Sequence, residues 1–283
     1  MNRRQQQMPE PHIPVQVTAD GLIALRADDS LMKRVGASDP FAVWFLTEEG
    51  RGLAEFASRS DPVYTIFNLV RYRWFSERLA DAAGRYSQIV VLGAGYDTRP
   101  FHMGAFRNGG AKVFEVDVPA TLKTKRRVLE ANGVEIPDWV VQVPCDIGID
   151  DIDDRLRERG FVPDEPCFVM AEGLFYYLDA EAIRELISRS RLHLAARSVV
   201  GFDFWDDART NRLNERVFEK RGIRLFKQFP LPQEADDLRA VLMDLGYENV
   251  QVISLDSVAR KHWPAPHDWT EGDGWMLVEA VVR

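Results

Sequence analysis

Cysteine is nearly absent: Cys145 and Cys167 are the only two in 283 residues, and they form no Cys-x-x-Cys pair. Two isolated thiols make no disulfide framework, so a reducing compartment is expected. Surplus positive charge is missing as well, with 44 acidic against 36 basic residues and a net charge of -8. Bulk charge therefore argues against a general nucleic-acid or anionic-membrane binder, whose affinity comes from excess lysine and arginine. A local basic groove stays open. No apolar run approaches the roughly 20 residues that span a bilayer. No secretory signal is legible either, because Arg3 and Arg4 lead into a polar, proline-bearing stretch, 5–14, without an apolar centre. A cytoplasmic protein with neither nucleic acid nor membrane as partner is the expectation. Internal repeats and low-complexity tracts are also lacking.

What is present is the balance of an ordinary globular chain, 46% apolar and 28% charged, long enough to bury a sizeable core. Residues 1–17 read as a loose arm and 18–283 as one domain, with a helical part over 18–86 and a lid insertion over 206–233. Helical spacing runs through 19–35, with Leu22, Leu25 and Leu31 in step, until Asp39-Pro40 interrupts. A longer helix is predicted over 62–83, with proline in its first turn and Gly84 as its stop. Short apolar runs follow at 88–93, 112–117, 140–144, 167–172 and 198–204, separated by helical patterns near 119–132, 151–159 and 179–196. Such alternation predicts a parallel sheet with helices on both faces. A helix bearing Leu238, Val241, Leu242 and Leu245 then stops at Gly246. The last strands, 249–255 and 275–282, are joined by a turn-rich segment with no evident crossover helix, which predicts an antiparallel final pair. The expected fold class is α/β and Rossmann-like, a seven-stranded, mostly parallel sheet with its last strand antiparallel. That is the sheet of class I methyltransferases, whereas dinucleotide dehydrogenases keep six parallel strands.

The segment Val90-Val-Leu-Gly93-Ala94-Gly95 ends a buried strand in a Gly-x-Gly turn, where backbone can approach a nucleoside without Cβ clashes. Alone, such a turn serves equally well as a tight strand-to-helix connection. The next run, Val113-Phe-Glu-Val-Asp117, ends in a carboxylate, at the distance of about 20 residues expected of a ribose-binding acid. Glu115 and Asp117 also suit the capping of the helix that follows. The third glycine of the dinucleotide pattern would fall at Thr98, and Asp97 and Arg99 load the turn with charge. An acid is unfavourable beneath a pyrophosphate on a helix N-terminus. S-adenosylmethionine carries no phosphate, so the methyl donor is favoured over NAD(P). An NAD(P)-dependent oxidoreductase and a non-catalytic donor-binding relative are the alternatives.

Four blocks together resemble the leucine carboxyl methyltransferase family, including its bacterial members and the polyketide carboxyl O-methyltransferases. They are Val70-Arg-Tyr-Arg-Trp-Phe75, Val91-Leu-Gly-Ala-Gly-Tyr-Asp-Thr-Arg99, Phe114-Glu-Val-Asp-Val-Pro119 and Ala171-Glu-Gly-Leu-Phe-Tyr-Tyr-Leu178. The likeness covers about 20–190 and fades beyond Phe204. It implies S-adenosyl-L-methionine as cofactor, lined by Gly93, Ala94 and Gly95, with Asp117 on the ribose and Val118 beside it. It places Asp146 near the adenine and Ile147 against the ring. Arg71 matches the arginine that pairs with the donor's methionine carboxylate, a task for a bidentate guanidinium. Glu172 and Gly173 fall beside the transferring methyl, and Tyr177 matches an active-site tyrosine, so Tyr177 and Arg71 are the catalytic candidates.

Displacement at a sulfonium methyl needs mostly positioning and no metal. A carboxylate acceptor, with a pKa of about 4, is already ionised at pH 7, whereas a phenol near about 10 calls for a base. No His-Asp pair stands at diagnostic spacing. With the resemblance, this points to O-methylation of a carboxylate on a small, polyketide-like molecule or a protein C-terminus. Bland readings stand beside several residues. Arg71 and Arg73 suit a solvated helix face, Tyr176 and Tyr177 a packed core, and Lys123-Thr-Lys-Arg-Arg127 a solvated face. Arg209, Arg212, Arg216, Arg221, Arg224 and Lys227 either steer an anionic acceptor or face solvent. Trp263, Trp269 and Trp275 offer an aromatic wall or simply pack. His102 is a candidate near the site, and His262 with His267 is not expected to bind metal.

Overall fold

A computed structural model describes residues 15–61, 63–188, 192–215, 226–263, 269 and 274–283, with side chains from residue 18 onward. The helical part before the sheet comprises α1 (Val15–Arg26), α2 (Asp29–Arg34), a 3-10 turn (Ala42–Phe45), α3 (Glu48–Ser60) and α4 (Tyr64–Arg85). Asp28 caps α2 by accepting from the amides of Ser30 and Leu31, and Thr47 caps α3 through Gly50. The arm expected over 1–17 lies outside the described residues up to 14, and 15–17 already belong to α1. Gly84 does not stop α4. The helix runs one residue further and ends where Tyr86 turns extended, with the Tyr86 amide still bonded to the Ala82 carbonyl.

The alternating part follows as β1 (Gln88–Leu92), α5 (Arg99–His102), α6 (Gly104–Gly109), β2 (Lys112–Asp117), α7 (Pro119–Ala131) and β3 (Val140–Pro144). It continues through α8 (Ile152–Glu158), β4 (Cys167–Ala171), α9 (Ala180–Ile187), β5 (Val199–Trp205), α10 (Asp207–Leu213) and α11 (Ala235–Asp244). The chain closes with β6 (Tyr247–Ser254), α12 (Leu255–His262) and β7 (Trp275–Val282). The sheet has seven strands in the order β3-β2-β1-β4-β5-β7-β6. β7 lies antiparallel between β5 and β6, pairing Trp205 with Trp275 and Ile253 with Leu277.

Period-two alternation sends each strand's side chains to two cores. Ile89, Val91, Val113, Phe168 and Met170 meet α4 and α12 on one face. Val90, Leu92, Val116, Val169 and Ala171 meet α8, α9 and α11 on the other. Two expected elements differ. The helix predicted over 179–196 ends at Ile187, and residues 192–196 are irregular. The connection between the last strands holds α12, because Leu255, Val258 and Ala259 recur at helical spacing and bury against α4. No helix among the described residues is long and apolar enough to cross a membrane.

The strand order reverses between β1 and β4. In open α/β sheets, the crevice at the carboxyl ends of such strands is where ligands bind. The residues after β1, β2, β3 and β4 meet there.

Candidate active site

Gly93 leaves β1 at φ +64, and a Cβ on it would stand 2.8 Å from Leu174 Cδ1, so only glycine fits the turn. The turn opens into a cavity of about 530 Å³, walled by α1, α4 and the ends of β1 to β4, within the roughly 300–1,000 Å³ of small-molecule sites. All the residues implied by the resemblance line it: Arg71, Gly93, Ala94, Gly95, Asp117, Val118, Asp146, Ile147, Glu172, Gly173 and Tyr177. The sheet order puts the acids Asp117 and Asp146 on one side of β1 and Glu172 and Gly173 on the other, where Arg71 of α4 joins them through Glu172.

Asp117 is oriented by backbone. Its Oδ2 accepts from Gly95 N at 2.7 Å and its Oδ1 from Val118 N at 2.7 Å. Burial raises its pKa against those amides, which lower it. Asp146 accepts from Gly148 N at 3.0 Å, and Ile147 is buried beside it.

Beyond β1 lies a chain of buried charges. Arg99 grips both oxygens of Asp97 and donates to Glu172 Oε2 at 2.6 Å. Arg71 donates from Nε to Glu172 Oε1 at 3.2 Å and from Nη1 to Asp203 Oδ2 at 3.1 Å. Its third nitrogen, Nη2, makes no hydrogen bond among the described residues, and a Cβ on Gly173 would stand 3.2 Å from it. Burial pulls the Arg71 guanidinium pKa down, but Asp203 and Glu172 outweigh it and hold the pKa above the usual value. Burial likewise works to raise the Asp97 carboxyl, and Arg99 overrides it to hold the group well below the ordinary range. Two arginines thus share Glu172, and neither is the solvated helix residue that amphipathic spacing allows. Arg73 is half-buried, pairing with Glu77 at 2.8 Å and donating to the Val35 carbonyl at 2.5 Å.

Tyr177 lines the cavity, and its hydroxyl lies 2.8 Å from Thr18 Oγ1 of α1. Burial raises its pKa, so it stays protonated at neutral pH. Tyr176 packs instead, stacked on Trp205 with centroids 3.9 Å apart and bonded through its hydroxyl to Asp203.

Several sequence expectations are corrected. Lys125 is not on a solvated face, for its Nζ lies 2.7 Å from Glu115 Oε1 with both side chains fully buried. Glu115 is therefore a structural partner and no helix cap. Arg209 does not steer ligands from above, being 1% exposed, paired with Asp61 at 2.8 Å and set over the Trp275 ring. Lys227 pairs with Asp179, while Arg216, Arg221, Arg224 and His267 lie outside the described residues. Trp263, Trp269 and Trp275 make no wall of the cavity: they belong to the core on the α4 face. His102 sits under Phe41, 3.9 Å from Asp39, and is not among the cavity's lining residues.

Asp203 went unread in the sequence. It is fully buried and accepts from Arg71, Gly173 N at 2.7 Å, Trp275 Nε1 at 2.9 Å and the Tyr176 hydroxyl. The available signal was an acid inside the apolar run Val-Val-Gly-Phe-Asp-Phe-Trp of β5. The contribution of α1 was also unread: Thr18, Leu22 and Arg26 line the cavity, and Arg26 donates to the Tyr96 carbonyl at 2.9 Å.

Comparison with known proteins places these features. The sequence model of the leucine carboxyl methyltransferases matches residues 20–191. A relative in Mycolicibacterium smegmatis, described as a candidate S-adenosyl-L-methionine-dependent methyltransferase, is 30% identical over 278 residues, covering 89% of this chain and 86% of its own. One in Frankia alni with the same description is 32% identical over 200 residues, covering 68% and 70%. In fold, the chain is similar to a candidate methyltransferase from Thermobifida fusca, with a TM-score of 0.62, 17% identity and coverage of 97% and 96%.

Proposed function

The chain belongs to the leucine carboxyl methyltransferase family, and from that membership we propose that it methylates the carboxylate of a small-molecule acceptor. Its activity class is S-adenosylmethionine-dependent methyl transfer. The cavity fits that donor. It offers carboxylates to a nucleoside at the β2 and β3 ends and a guanidinium at the β4 end. The acids Asp97, Asp117 and Asp146 among its lining residues suit a cofactor without phosphates.

One observation carries the choice of acceptor. At the β4 end the carboxylates are already engaged, Glu172 by Arg71 and Arg99, and Asp203 by Arg71. What lines the cavity there besides is a protonated Tyr177 hydroxyl bonded to Thr18, and among the described residues of this end no carboxylate is left over to act as a base. Such a site favours an acceptor that arrives ionised, which a carboxylate does and a phenol does not.

When bound, the donor supplies a methyl group on a sulfonium, primed for in-line displacement. Asp117 would hold the ribose hydroxyls on an anchor already set by two amides. Arg71 Nη2 would take the methionine carboxylate while Glu172 and Asp203 fix the rest of the guanidinium. Tyr177 and the Gly173 turn would border the reacting end, and α1 would exclude water there. Positioning of this kind, without proton transfer, suits the chemistry.

Asp117→Ala should weaken donor binding roughly tenfold or more, since charge-assisted hydrogen bonds contribute about 1.5–3 kcal/mol each. Calorimetry on the folded variant measures this, and unchanged affinity removes Asp117 from the donor site. For the acceptor, product labelled with tritiated methyl donor is treated with dilute alkali. A methyl ester releases volatile labelled methanol, whereas label that resists alkali refutes carboxyl transfer.

A further inference from the structure

Beside the large cavity lies a second, far smaller one of about 40 Å³. The two share Thr18, Leu22, Asn68, Arg71, Gly173 and Tyr177, so the small chamber opens where the methyl end of the donor would lie. Its further walls are Leu53 and Ala57 of α3, Tyr64 of α4, Tyr176, Trp205, Leu213 of α10 and Phe226. These walls are preset. Trp205 stacks on Tyr176, and Phe226 stands edge-on to Trp205 with centroids 4.7 Å apart. Asn214 holds Phe226 from both sides, donating to its carbonyl at 2.8 Å and accepting from its amide at 3.1 Å.

The chamber's polar groups lean one way. Among the described residues no aspartate or glutamate lines it, so an ammonium would find no counter-charge among them. Tyr64 makes no hydrogen bond through its hydroxyl among the described residues. Burial raises the Tyr64 pKa, so its hydroxyl is a donor. An unused donor near Arg71, within apolar walls, is complementary to an anion carrying an apolar body.

We propose that this chamber seats the acceptor and that the acceptor is a compact apolar carboxylic acid. Its short or branched hydrocarbon part packs among Leu53, Ala57, Trp205, Leu213 and Phe226, and its carboxylate meets the Tyr64 hydroxyl, which neighbours Tyr177 and Arg71 of the shared opening. The volume decides the size class. At about 40 Å³ beside about 530 Å³ for the large cavity, the chamber takes a short or branched body and no extended chain. In the reaction a carboxylate oxygen forms the new bond to the methyl carbon and the sulfonium–methyl bond breaks. Its electron pair stays on sulfur, and no proton moves. The proposal rests on the carboxyl-transfer reading above.

The test is labelled-methyl transfer to a homologous series of straight-chain and branched acids, counted as alkali-labile product. Donor affinity is measured on every variant as the check on folding. For the wild type, kcat/KM should climb roughly fourfold per added methylene among the shortest acids, then fall once the chamber is full. Ala57→Leu should move the optimum to shorter acids and Leu53→Ala to longer ones. Because the two shift it in opposite directions, a folding defect cannot mimic the pair. Tyr64→Phe should raise KM roughly tenfold with kcat nearly unchanged. Esters formed with an optimum that neither Ala57→Leu nor Leu53→Ala moves would overturn the chamber assignment and leave carboxyl transfer standing. Alkali-stable label on another acceptor, with no ester from any acid, would overturn the carboxyl reading and this proposal with it.

Discussion

Asp203→Ala should destabilise the fold by about 3–5 kcal/mol, the range for removing one partner of a buried ion pair. The substitution strips an acceptor from Arg71 Nη1, Gly173 N, Trp275 Nε1 and the Tyr176 hydroxyl at once. Three of these donors gain no water in exchange, since Arg71, Tyr176 and Trp275 are all under 5% exposed. Arg71 keeps Glu172, which places the loss toward the lower end of the range. Asp203→Asn should cost less, because its carbonyl still accepts, although its NH2 then faces donors. Urea unfolding followed by tryptophan fluorescence measures both. A loss below about 1 kcal/mol for Asp203→Ala, the scale of a single ordinary hydrogen bond, would contradict the four-donor arrangement.

Arg71→Ala should lower kcat/KM by roughly 100-fold, about 2.7 kcal/mol of transition-state stabilisation. Donor affinity should fall with it, because the charge-assisted bond proposed for the methionine carboxylate is gone. Arg71→Lys retains a positive charge but cannot reach Glu172, Asp203 and the cavity together. An ammonium is a compact point donor, whereas the guanidinium is a planar fork, so the lysine variant should still bind donor roughly tenfold more weakly. Arg73→Ala is the control. Its ion pair with Glu77 is half exposed, and exposed pairs of this kind contribute about 0–1 kcal/mol. Calorimetry with the donor, beside urea unfolding of each variant, separates binding from folding. Should Arg73→Ala weaken donor binding more than Arg71→Lys, the role assigned to Arg71 would fall.

Much of the sheet was legible because its signal is local. Runs such as Lys112–Asp117, Val140–Pro144 and Trp275–Val282 coincide with β2, β3 and β7 as first read, since short apolar stretches between turn residues have few other uses in a globular chain. Helix ends were read less well. Gly84 lies inside α4 and α9 ends at Ile187 instead of running to 196, because tertiary packing outweighs local preference. The two turns of α12 were missed, having few residues to show a period.

The cavity-lining residues were legible because each sits at a strand end or on α4, where order along the chain nearly dictates order in space. Gly93, Asp117, Asp146 and Glu172 follow β1, β2, β3 and β4, and parallel strands in one sheet bring their carboxyl ends to one edge. The state of the charges was not legible. Lys125 and Arg209 read as solvated because that is what lysine and arginine do without a buried partner. Their partners, Glu115 and Asp61, lie 10 and 148 residues away along the chain.

By itself the sequence determined the architecture, the glycine turn, the line of carboxylates and the family blocks. All of these depend on the periodicity and spacing of neighbouring residues. The tertiary structure alone decided that Arg71 and Arg99 share Glu172, that Asp203 anchors Arg71 from a strand 132 residues on, and that α1 and α3 close a small chamber beside the large cavity. The cost of burying a charge or enclosing a void is set by which groups meet in space, and chain order does not specify those meetings.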